Sequence, residues 1–367
     1  MKKTILFLLI STILMPFHAQ SNNYRLLVGT YTNTGKSKGI YVYHVDMLKG
    51  NIVQQSVAEG VDNPSYLAIT PDRRYVYSVN ENDKVSSVSA FEFDPFKSML
   101  TLLNKVDAKG EAPCFLSVTD KNVFTANYTS GSLSVFGRNA DGTLTEALQV
   151  IQHVGKSINA ERQGEPHVHQ VIVSHDQKFV LANDLGTDNV TVYKYDQTKT
   201  TELLVPFDTL SMRQGSGPRH SVFSRDGKKL YLIQDIDGSL SVLGMKHGKL
   251  KLLQETSVIK NPNVVIRAAD IHLSPDGKYL YATNRGTAND ISCFSVGRDG
   301  LLTFIQQVPT GGNGPRNFAI TPDGQYVFVA HQESDTIVIF KRNSTTGMLT
   351  ITDKKIEVGS PVCLVFY

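Results

Sequence analysis

The sequence predicts an all-β protein, a seven-bladed β-propeller closed by pairing of N- and C-terminal strands in one blade. Three observations carry that expectation: a repeated strand-turn-strand pattern with a period near fifty residues, no helical periodicity of any length, and a final strand that completes the first blade. The turn aspartates mark the repeat: Asp72, Asp176, Asp226, Asp276 and Asp323 each end a Ser/Thr-x-Asp turn. The copies start near Pro64, Pro113, Val168, Pro218, Ala268 and Pro315.

Within one copy, Phe318–Thr321 reads as the first strand, Pro322-Asp-Gly as a tight turn and Tyr326–Ala330 as the second strand. Thr336–Phe340 and Leu349–Thr352 follow as strands three and four. β-Branched and aromatic residues fill the strands, and Pro, Asp and Gly fill the turns. The seventh blade is split between the ends: Leu26–Tyr31, Gly39–His44 and Ile52–Val57 supply three strands, and Pro361–Tyr367 the missing first one. Such a seam removes free sheet edges.

Composition agrees with a soluble globular chain: 367 residues, 41% hydrophobic, 19% charged, and only 3 Cys. Cys114, Cys293 and Cys363 are widely spaced and read as small apolar core residues rather than a zinc or redox set. Trp is absent, which excludes the Trp-Asp propeller signature. The formal charge is +3, and falls to +1 without Lys2 and Lys3, so no broad basic field for nucleic acid is expected. Residues 1–20 run basic, apolar and then small, as a cleavable export signal does, leaving a domain over 21–367. The apolar run is short and broken by Pro16, so no membrane anchor is expected after cleavage, and a closed ring implies a monomer.

Because strand one leaves, and strand two returns to, the same rim, aligned positions map a surface. One register reads Ser65, Cys114, His169, Arg219, Ala269, Arg316 and Val362; the corner register reads Tyr31, Glu81, Tyr128, Leu185, Asp235, Arg285 and Gln332. Equivalent positions that merely stabilise a blade should look alike, whereas His169, Arg219, Asp235 and Arg285 replace one another with opposite charges. That cluster offers cations for an anionic substrate, an imidazole and a carboxylate. His167, His220, Asn284, Arg316 and Glu81 are further candidates for substrate binding.

No metal or other cofactor is expected. His167 and His169 alternate on one strand, as do Asp270 and His272, but each pair lacks a third convergent ligand. Gly35-Lys-Ser37-Lys-Gly39 has nucleophile-elbow spacing without the strand-to-helix turn that motif needs. Gly215-Ser-Gly217 and Gly311-Gly-Asn-Gly314 read as conformational freedom at blade junctions.

Gly217-Pro-Arg-His220, Ala269–Gly277 with Ala282-Thr-Asn-Arg-Gly286, and Gly314–Phe318 together resemble the seven-bladed lactonase family, over about Tyr24 to Tyr367. That family includes bacterial 6-phosphogluconolactonases and, more distantly, fungal carboxymuconate lactonizing enzymes. The resemblance implies a metal-independent lactone hydrolase acting on a small-molecule sugar lactone, with His169, Asp235, Arg219 and Arg285 as its catalytic group. The family's acidic residue is commonly Glu, where this chain has the shorter Asp235. His169 is expected as the base, oriented by Asp235. Two other functions fit the same rim: an exported carbohydrate- or peptide-binding propeller without turnover, and a carboxymuconate-type cycloisomerase.

Overall fold

The computed structural model describes residues 23–261 and 263–367. The expected export signal over 1–20 lies outside the described residues. Seven four-stranded antiparallel sheets account for all the strands among the described residues. Blade 1 combines Asn23–Thr30, Gly39–Asp46 and Asn51–Glu59 with the C-terminal strand Pro361–Phe366. Leu26 faces Phe366 and Val28 faces Leu364 across this seam, as the sequence predicts.

Blades 2 to 7 begin with Leu67–Ile69, Pro113–Val118, Val168–Val173, Pro218–Phe223, Ala268–Leu273 and Pro315–Ile320, each followed by three more strands of its own sheet. The Ser/Thr-x-Asp turn works the same way in five of them. Ser224 Oγ donates to Asp226 Oδ1 at 2.7 Å and accepts the Lys229 amide at 3.0 Å, while Asp226 Oδ1 accepts the Lys228 amide at 3.1 Å. The residue after the aspartate has positive φ: it is Gly227, Gly277 and Gly324 in three turns, but Arg73 and Gln177 in two others.

Faces of neighbouring blades pack through aromatic and branched residues. Phe124, Val135, Val171 and Tyr193 share one such layer, and Tyr281, Cys293, Phe328 and Phe340 are likewise buried between sheets. The three cysteines are free and buried. Gly217 and Gly314, at φ +72° and +68°, take the left-handed conformation at blade junctions that the glycine-rich segments led one to expect.

One irregularity recurs at the start of the innermost strand. The register between first and second strands shifts between Pro113 and Phe115, Val168 and Gln170, Pro218 and His220, and Pro315 and Asn317. The residue skipped is Cys114, His169, Arg219 or Arg316 in turn. A bulge frees a side chain from the ladder and re-aims it, here at one end of the central axis.

Candidate active site

The bulge residues and the corner residues meet as the alignment predicts. Asp235 is the hub. Its Oδ2 lies 2.9 Å from an Arg285 terminal nitrogen and 3.2 Å from Arg219 Nε, and its Oδ1 lies 3.4 Å from Arg162. Arg219 and Asp235 are each 1% exposed. Arg219 also donates to the Ala269 carbonyl, and Arg285 Nε to the Arg267 carbonyl at 3.2 Å. Burial alone would raise the Asp235 carboxyl, but Arg285, Arg219 and Arg162 overcome it and hold the group below its ordinary range. Burial and Arg219 push Arg285 down to about 9, which leaves it charged at neutral pH.

His169 sits in the same ring, with Nδ1 3.6 Å from Cys114 Sγ and its ring edge-on to Tyr128 and His220. Burial, reinforced by Arg219, His220 and Arg316, holds its pKa well below the usual imidazole value. Asp235 is committed to guanidiniums, so the expected orienting contact to His169 is absent from the hydrogen bonds it makes. His167 instead stacks on Tyr128, with ring centroids 4.5 Å apart, and Nδ1 lies 3.0 Å from the Tyr128 carbonyl.

Beside His169, it is His220 that has a carboxylate on its imidazole. Its Nδ1 lies 2.8 Å from Asp270 Oδ1, and its buried Nε2 has no partner. Because the two ring nitrogens point to opposite sides, Nε2 aims away from Asp270 and across the axis, where Tyr66, Phe115 and His169 pack around the ring. Asp270 Oδ2 also binds His272 Nε2 at 2.9 Å and Asn317 Nδ2 at 2.6 Å. Two histidines thus share one carboxylate. Burial opposes the charge on His272, yet Asp270 raises it, whereas burial and Arg219 push His220 down to about 4. Asp270 thus favours the charged form of His272, while His220 is held as the neutral imidazole. Asp270 and His272 bind each other, and the described residues contain no group of three or more His, Cys, Asp or Glu side chains placed so that it could hold a metal ion.

Across the ring, Arg316 lies 3.8 Å from Glu81 Oε2 and 5.3 Å above the Tyr31 ring, and Tyr31 donates to Glu81 at 2.8 Å. Asn284 stands behind the site: it is fully buried, and its Oδ1 accepts the Arg267 amide at 3.0 Å. Ser37, the central residue of the elbow-like pattern, is a buried partner of Thr30 at 2.6 Å. Cys114, read from sequence as core filling, touches His169. Arg162 and Arg267 escaped the sequence reading because they lie on links between blades, which have no repeat register.

The fold and this site define a seven-bladed propeller with a cluster of arginines centred on one carboxylate at one end of its axis. A family model described as lactonase, 7-bladed beta-propeller, matches residues 25–366. The chain belongs to that family. It is 34% identical to the 6-phosphogluconolactonase of Formosa agariphila over 91% of this chain and 97% of that one. A solved structure from Bacteroides fragilis, put forward as a 6-phosphogluconolactonase, is 42% identical, with a TM-score of 0.91 over 96% of this chain and 100% of that one. The periplasmic gluconolactonase of Pseudomonas aeruginosa is 35% identical, with a TM-score of 0.90 over 94% of this chain and 99% of that one.

Proposed function

We propose that this chain opens a sugar lactone with water, as an exported monomer, and that its substrate is 6-phosphogluconolactone or a related aldonolactone. The observation that carries the reading is the trio of guanidiniums held by Asp235 beside a neutral His169. Arg219 and Arg285 are fixed donors for the oxyanion that develops as the lactone carbonyl becomes tetrahedral. Asp235 keeps both guanidiniums in place before substrate arrives.

His169 takes a proton as water attacks the carbonyl carbon and returns it to the ring oxygen when the carbon–oxygen bond breaks, giving the open-chain acid. The low pKa of free His169 has Arg219 and Arg316 among its causes. An anionic substrate offsets their field and brings the imidazole back toward the range a base at neutral pH needs. The basic, apolar and small-residue run of residues 1–20 supports export, and the seam in blade 1 supports a monomer, since it leaves no broken ring to be completed by a second copy.

The test is hydrolysis of 6-phosphogluconolactone beside unphosphorylated gluconolactone by the chain beginning at Ser21, with the spontaneous rate subtracted and His169→Ala as control. A rate that disappears in the control supports the reading. No rate on either lactone from a folded protein favours the non-catalytic binding propeller instead.

A further inference from the structure

The site has two tiers of cations. Arg219 and Arg285 form a buried floor, whereas Arg162 is about one-third exposed and Arg267 is exposed at the mouth. Both upper arginines come from the links over residues 153–167 and 258–267, while the links over 108–112, 212–217, 310–314 and 358–360 are shorter. Arg162 is delivered by a built turn. Asn159 Oδ1 accepts the amides of Glu161 and Arg162, each at 3.1 Å. The fully buried Gln163 ties the turn down to the Leu185 carbonyl and Asp188, each at 2.8 Å. From there Arg162 reaches the Tyr128 hydroxyl and Asp235.

Charge is not balanced at this end of the axis. One carboxylate, Asp235, faces Arg219, Arg285 and Arg162 directly and Arg267 at longer range. Arg316 has its own partner in Glu81. The Arg162 contact, at 3.4 Å, is the longest of the three to Asp235 and belongs to the most accessible of the three side chains. It is therefore the guanidinium that can turn to an incoming anion at least cost to the floor.

We propose that Arg162 and Arg267 form a clamp for a phosphate monoester carried by the substrate at the end remote from its lactone carbonyl, and so set a preference for the phosphorylated lactone. The inference rests on the lactonase reading of the same site and names its substrate class. A planar guanidinium pairs two donors with two phosphate oxygens, and two such groups at the mouth leave the floor pair free for the carbonyl. A neutral sugar lactone leaves Arg162 with only its long Asp235 contact and gives Arg267 no anion nearer than Asp235.

The experiment compares wild type, Arg162→Gln and Arg162→Gln/Arg267→Gln by the ratio of kcat/KM on 6-phosphogluconolactone to that on gluconolactone. The ratio cancels any general loss that falls on both substrates. A wild-type preference for the phosphorylated lactone that falls about tenfold or more in Arg162→Gln, chiefly through KM, and further in the double variant, supports the clamp; this is the scale of a charge-assisted hydrogen bond. A ratio unchanged within about twofold, or a wild type that prefers the unphosphorylated lactone, overturns it. If the wild type hydrolyses neither lactone, the lactonase reading fails by itself, and calorimetric titration with 6-phosphogluconate decides the clamp. Binding weakened about tenfold by Arg162→Gln keeps it, and binding absent from wild type or equal in the two proteins removes it.

Discussion

Arg285 is held against Asp235 at 2.9 Å, while its Nε reaches the Arg267 carbonyl at 3.2 Å, so one guanidinium is fixed by partners on two sides. A group so restrained acts without reorganising during the reaction. Arg285→Ala is expected to lower kcat by roughly 100-fold, as loss of one oxyanion donor does. The melting temperature should stay near that of wild type, because Asp235 keeps Arg219 and Arg162. Arg285→Lys should not restore turnover, since an ammonium does not span both partners. Steady-state rates beside thermal melts check this, and an active Arg285→Ala would end the assigned role.

Asp270 has a different kind of importance. It accepts from His220, His272, Asn317 and the Phe318 amide, all close to the axis. Asp270→Asn removes the charge that raises His272 and turns an acceptor into a donor against a partner that already donates. A loss of about 3–5 kcal/mol is expected by urea denaturation, the scale of breaking a buried charge pair. A loss below about 1 kcal/mol would mean the network does little for stability.

His331 is fully buried, at a corner where Asn80, Asn127 and Asn284 stand in other blades. Burial pushes it down to about 4 from the ordinary 6.5. The folded protein keeps it neutral, so its contribution is intact above pH 6.5 and is lost as pH falls toward 4. Stability should fall by about 2 kcal/mol on this account between pH 6.5 and 5. His331→Asn should flatten that slope in denaturation curves, leaving the part due to His169 and His220, which shift in the same direction.

Two of the five aspartate turns place Arg73 and Gln177 at φ +59° and +52°, where Gly227, Gly277 and Gly324 stand in the others. Left-handed backbone costs a side-chain-bearing residue about 1–2 kcal/mol, and glycine's extra unfolded-state freedom takes back about 0.5–1 kcal/mol. Arg73→Gly and Gln177→Gly should each raise the melting temperature by roughly 1–3 °C. A decrease in both would show that those side chains contribute more than the strain removes.

Deleting residues 361–367 exposes the edge of Asn23–Thr30. Burial of Val362 and Leu364 alone contributes about 1.5–3 kcal/mol each, a large share of the roughly 5–15 kcal/mol that holds a domain. The truncated chain should aggregate or lose its cooperative melt, and size-exclusion chromatography with a thermal scan checks this.

The blades were legible because five turns repeat one hydrogen-bond device, visible as Ser/Thr-x-Asp, and because strand residues alternate against it. Blade 3 lacks the device: Thr119 bonds Asn122 instead. Its place was legible only from its neighbours and from Pro113. The ring of Cys114, His169, Arg219 and Arg316 could be read from register, since each follows the residue that opens its strand. What occupies that register could not tell how partners choose one another. Asp235 went to three arginines and Asp270 to two histidines, a choice made by three-dimensional proximity between blades. Arg162 and Arg267 were invisible for the simpler reason that links between blades do not repeat.

The pairing of Leu26 with Phe366 also imposes an order in time. During synthesis the first blade emerges with three strands and waits for a fourth that is made after the six other blades, so the ring cannot close before Pro361–Phe366 has emerged. Every earlier stage presents the unpaired backbone of Asn23–Thr30 to whatever the growing chain meets. Chaperone demand should therefore persist until that strand emerges, and a permuted gene that opens at the Asp226–Gly227 turn would shift that vulnerable moment to another blade.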